Sequence, residues 1–133
     1  MFRVRAALTA LLLTLLAAAP AAGMADPFTG SWSAIDVDGS PMAMNISTGP
    51  AGLYQVVLID HLGTICTSND AASDLFRGSA TGIVEGDVLA ATWRSARCGN
   101  VAFDFGGGQF FMEYLPDSDQ LFGMDVYWDR PGS

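Results

Sequence analysis

No stretch of this 133-residue chain sustains a helical period; from residue 30 onward, short runs of strand-forming residues alternate with turn signals. Met42, Met44 and Ile46 alternate with Ala43, Asn45 and Ser47, as the two faces of a half-buried strand do. Asp38-Gly39 before that run can form a tight hairpin turn, because glycine accepts positive φ. Gly49-Pro50-Ala51-Gly52 separates the run from LYQVVLID, Glu85-Gly86-Asp87 separates FRGSATGIV from VLAATWRS, and Pro116-Asp117-Ser118-Asp119 separates QFFMEYL from LFGMDVYW. Strands are expected near 30–36, 42–47, 53–60, 76–84, 88–95, 101–105, 109–115 and 121–129. The one long connection runs from His61 to Asp74, with a short helical turn expected around Ala71 to Leu75. The fold class that follows is all-β: a single antiparallel up-and-down meander over 26–133, closed or nearly closed into a small barrel.

The strand count turns on Gly106-Gly107-Gly108. Read as a turn, it gives eight strands; read as a bulge, seven. Eight leaves the first and last strands antiparallel, so the sheet closes by ordinary pairing and hides its edges; about eight is therefore the expected number.

Alternation also sorts inside from outside. Phe76, Gly78, Ala80, Gly82 and Val84 oppose Arg77, Ser79 and Thr81; Leu89, Ala91 and Trp93 oppose Thr92 and Arg94; Phe122, Met124, Val126 and Trp128 oppose Asp125 and Tyr127. The polar face points outward, the reverse of an outer-membrane barrel. Gly78, Ala80 and Gly82 leave room inside. Either a small apolar ligand occupies it, with Trp93, Tyr114 and Trp128 as wall residues, or those side chains together with Phe110 and Met112 fill it.

The N-terminus reads as a secretory leader over residues 1–25. Arg3 and Arg5 precede an apolar run from Ala6 to Ala19, and Gly23-Met24-Ala25 offers a small-residue cleavage site. That run is shorter than the roughly 20 residues of a membrane span, so no span is expected once the leader is removed. Export implies a periplasmic or extracellular protein, and the paired Cys66 and Cys98 imply a disulfide. Both follow strands that run in the same direction, so both fall at one end of the sheet. All 14 acidic residues lie beyond the leader, against four arginines and no lysine, a formal charge of −10. Such a surface repels phosphate backbones and anionic membranes, so no nucleic-acid partner is expected.

Gly30-Ser31-Trp32 at the first strand resembles the G-x-W opening of lipocalins and the G-T-W opening of avidins, the calycin-like barrels. The resemblance implies an eight-stranded meander in which Trp32 closes the barrel floor. It also implies a structural role for Arg130, which follows the last strand and would lie over that ring in a cation–π contact. The lipocalin T-D-Y motif and the polar set with which avidins hold biotin find no counterpart, so no ligand carries over.

Catalytic constellations are weak. Asp36-Val37-Asp38-Gly39 lacks the further oxygens of a calcium loop and reads as a turn. Asp60 and His61 are strand neighbours that point to opposite faces, and Ser68 and Ser73 in the following loop specify no triad geometry. No cofactor and no metal are implied. The expectation is an exported, non-enzymatic binding module. It takes either a small apolar molecule inside the barrel or a protein partner, in the manner of a hydrolase inhibitor, through the 61–74 loop.

Overall fold

The computed structural model describes residues 26–69, 71–103 and 107–132; the expected leader over 1–25 lies outside them, as does Gly106. Nine strands form one antiparallel sheet: β1 (Gly30–Ile35), β2 (Pro41–Thr48), β3 (Tyr54–Asp60), β4 (Phe76–Glu85), β5 (Val88–Cys98), β6 (Val101–Phe103), β7 (Gln109–Leu115), β8 (Gln120–Gly123) and β9 (Val126–Trp128). Among the described residues a 3-10 turn covers Pro50–Gly52, and one α-helix, α1, covers the four residues Thr64–Thr67. The helical turn thus falls at the start of the long connection, not around Ala71 to Leu75 as expected. Gly63 N–H donates to Asp74 O at 2.8 Å and ties the two ends of that loop together before the helix begins.

Sheet order follows chain order, β1-β2-β3-β4-β5-β7-β8-β9, with β6 paired to β5 beside that path. The sheet closes into a nearly complete barrel where Ser33 and Asp129 exchange both backbone hydrogen bonds at 2.8 Å. Eight strands lie on the path, but not for the expected reason. β6 pairs with the upper part of β5 (Ala96–Cys98) and β7 with its lower part (Val88–Thr92), both antiparallel. They therefore run the same way, and no hairpin joins them. The missing hairpin lies inside the segment expected as one strand over 121–129. Met124 and Asp125 both take positive φ, 55° and 64°, and turn β8 back into β9. Positive φ at both central residues is the geometry of a type I′ turn, which matches the twist of the flanking strands. This turn also reverses the face of Phe122, expected inside: Leu121 and Gly123 are buried, while Phe122 points out and stacks on Tyr127 at 4.8 Å.

The inward positions build one core. Trp32, Met44, Ile46, Val56, Leu89, Met112, Leu121 and Trp128 are all essentially sealed from water. Each such burial contributes about 1.5–3 kcal/mol before entropy is counted. The room beside the inward glycines is occupied. A Cβ on Gly78 would meet the Trp93 ring at 2.5 Å, and one on Gly82 would meet Ala90 O at 2.6 Å and a Leu89 methyl at 2.9 Å. The lower barrel is packed by its own side chains.

Candidate functional site at the open end of the barrel

Antiparallel order places four connections at one end: 36–40, 61–75, 99–100 and 124–125. The first is a hairpin in which Asp36 N–H donates to Ser40 O (2.8 Å) and Gly39 N–H to Asp36 O (2.9 Å), with Gly39 at φ 87°. Asp38 completes it by accepting from Ser40 N–H at 2.9 Å, the local turn chemistry expected of an Asp two residues back. The second is the long loop, fastened by the Cys66–Cys98 disulfide to the end of β5. Both sulfurs are buried, and the Cα atoms stand 5.6 Å apart. Gly63 is required here, because a Cβ would stand 2.6 Å from that of Phe76.

Between these loops lies a cleft of about 210 Å³ over the barrel's upper layer, walled by Met42, Leu58, Ile65, Phe76, Trp93 and Met124. Trp93 forms its base. The ring meets Phe76 edge-on at 5.8 Å and 88° and leans on Phe110 at 4.7 Å, and the residue is half-buried. Aromatic pairs in such geometries are worth about 0.5–1.5 kcal/mol beyond the area they bury, so the base is rigid.

One side of the cleft is acidic. Asp60, the last residue of β3, alternates inward with Val56 and Leu58 and is 7 % exposed. Its Oδ1 accepts from Leu62 N–H at 3.1 Å and from Ser40 Oγ at 3.2 Å. That hydroxyl also lies 2.6 Å from Asp38 Oδ1, and its single proton serves one carboxylate at a time. Burial pushes the Asp60 carboxyl above its ordinary pKa, and the neighbouring Asp36 adds to the shift. Hydrogen bonds from Ser40 hold exposed Asp38 below its ordinary value.

The three residues expected to wall a ligand chamber do not share one. Trp93 lines the cleft. Trp128 is fully buried and donates from Nε1 to Gly123 O at 3.1 Å. Tyr114 stands at the opposite end, 6.2 Å from Phe28, and donates to Asp119 Oδ1 at 2.9 Å. That closed end is built on Arg130. Its guanidinium lies 4.2 Å from the centre of Trp32, pairs with Asp119 at 3.0 Å, and donates to Pro27 O (2.7 Å) and Thr29 O (3.4 Å). Gly30 has φ 139°, and a Cβ there would stand 3.1 Å from the same guanidinium. The G-x-W spacing thus has a local cause: the glycine clears the arginine that covers the tryptophan.

The chain matches no family model, no curated protein and no solved structure. Among the described residues, no three His, Cys, Asp or Glu side chains converge as metal ligands would. His61 is exposed while Asp60 is buried, so the two do not act together. Also among the described residues, no helix is long and apolar enough to cross a membrane. A disulfide between buried sulfurs agrees with an oxidising compartment outside the cytoplasm. Met42, Leu58, Phe76, Met124 and the acidic pair Asp36 and Asp60 escaped the sequence reading as site residues, while Ile65 falls in the 61–74 loop it named. One signal was there: Asp60 continues the inward alternation of Val56 and Leu58.

Proposed function

We propose that the chain is an exported, non-enzymatic binding module, periplasmic or extracellular, that holds a protein partner at its open end. The observation that carries this reading is the apolar cleft over Trp93 with Asp36 and Asp60 along one side. Its volume falls below the roughly 300–1,000 Å³ of sites that enclose a drug-sized molecule, and it opens to solvent between two loops. A free apolar ligand would stay half wet there, whereas a side chain presented by a partner brings its own cover. The acidic side sets the partner's chemistry: an aromatic or aliphatic anchor next to a Lys or Arg. The disulfide-held 61–74 loop supplies Thr64 and Ile65 as one wall, which makes it part of the contact. A calycin-like relationship is part of the same proposal, supported by Gly30-Ser31-Trp32 and by Arg130 over Trp32.

Trp93 reports on the site, because Trp32 and Trp128 are sealed. Titration with N-acetyl-Phe-Arg-amide should change tryptophan emission saturably. N-acetyl-Phe-Asp-amide should bind at least about tenfold more weakly, since like charges meet at the rim. An Ile65→Lys variant should lose the response. Emission indifferent to the arginyl peptide, or equal binding of both peptides, would contradict the proposal. Tighter binding of an uncharged apolar molecule such as indole would restore the small-ligand reading in its place.

A further inference from the structure

Three of the four arginines outside the leader point outward from β4 and β5. Arg77 on β4 and Arg97 on β5 are direct cross-strand partners, and both are exposed. Arg94 is exposed on the same side and donates from Nε to Thr81 Oγ1 at 2.8 Å. Strict alternation along β5 would put residues 94 and 97 on opposite faces. A bulge cancels it: pairing jumps from Ser79–Ser95 to Ala80–Trp93, and Arg94 is left over. Beyond the bulge, Ala96 and Cys98 are buried and Ser95 and Arg97 turn outward. Bulges re-aim side chains in this way at the expense of ladder bonds.

The arrangement is unfavourable for the sheet itself, since like charges directly opposite destabilise a strand pair. The ion pair present among the described residues joins Arg130 to Asp119; none there involves Arg77 or Arg97. A half-open groove of about 510 Å³ runs past both, bordered by Val57 and Leu75, with Ser79, Ser95 and Asn100 along it. The Ser79 and Ser95 hydroxyls stand 2.6 Å apart. It lies on the outside of β3–β5 and is distinct from the cleft inside the open end.

We infer that this groove binds a compact oxyanion, a carboxylate or phosphate group carried on a small soluble ligand. Paired guanidinium forks match such groups bidentately, and the serine hydroxyls and Asn100 supply further neutral donors. A compact ligand meets only the arginines. A long polyanion would extend beyond the groove over a chain with 14 acidic residues and be repelled.

The test is an NMR titration of the isotope-labelled protein at low ionic strength with inorganic phosphate and, separately, succinate. At least one anion should shift the amide resonances of Ser79, Arg97, Gly99 and Asn100 saturably and leave Thr64 and Ile65 in place. Arg77→Gln and Arg97→Gln each remove one exposed fork and should weaken binding about tenfold without lowering Tm. Arg77→Lys, which keeps the charge and loses the fork, should fall between. No saturable shift with either anion overturns the assignment, as does an Arg97→Gln protein that binds like the parent. A heparin oligosaccharide that binds more tightly than both compact anions overturns the restriction to small ligands.

Discussion

Arg130 and Asp60 are the two residues whose surroundings say most about their roles. Arg130 ties the end of β9 to the segment before β1: it covers Trp32, pairs with Asp119 and donates to the carbonyls of Pro27 and Thr29. Arg130→Ala removes all of these at once. It should cost about 1–3 kcal/mol in urea unfolding, a range set by one cation–π contact and hydrogen bonds to a partly exposed charge. Asp60 has the opposite character. Its folded pKa is raised by burial and by Asp36, so the folded state holds the proton more tightly than the unfolded chain does. Its contribution to stability is therefore fully present below the unfolded pKa and is lost as pH rises through the folded one. Asp60→Asn, which keeps the acceptor for Leu62 and Ser40, should raise Tm at neutral pH. The gap should close as pH falls into the carboxylate range. A gap that widens on acidification would show the carboxylate to be a stabilising group instead. Asp60 was readable in the sequence as an inward Asp. Its pairing with Asp36 was not, since it depends on which hairpin folds over which strand.

At the scale of elements, the turn at Met124-Asp125 and the bulge at Arg94 separate what the sequence showed from what it hid. The runs 42–47 and 76–84 alternate cleanly, and each became a strand with the expected faces. LFGMDVYW alternates just as cleanly but hides a hairpin. Met-Asp carries none of the Asn-Gly signal that usually marks a type I′ turn, and Gly106 to Gly108 offered a louder false one. The β5 bulge shows in the sequence only as two polar residues in a row, Arg94-Ser95, which read equally as a strand end until a partner strand fixes the register. The hairpin gives a prediction with a decisive sign. Asp125 holds φ 64°, so Asp125→Val should cost about 1–2 kcal/mol through the left-handed conformation, while Asp125→Gly should be neutral or mildly stabilising. In a continuous strand over 121–129 the order would reverse, since valine favours strands and glycine weakens them.

At the scale of the molecule, eight strands in chain order, with β6 set beside them, close on one another through Ser33 and Asp129, and the two ends of the barrel differ in kind. The lower end is shut by Phe28, Trp32 and Arg130. The upper end stays open over Trp93, between a hairpin and a disulfide-held loop. Closure was expected from an even strand number, but that number was counted through the glycines at 106–108 and not through the hairpin at Met124-Asp125 that supplies it; the same-end cysteines were legible. Whether the interior was empty was not, because the room left by Gly78 and Gly82 is taken by side chains from neighbouring strands. The functional proposal depends on that contrast between a filled barrel and a receptive mouth. Xenon, which enters dry apolar cavities, tests it most directly through a crystal structure under xenon pressure. The structure predicts no xenon beside Gly82 or Trp128, where the barrel is filled by its own atoms; xenon bound deep in the barrel would contradict it.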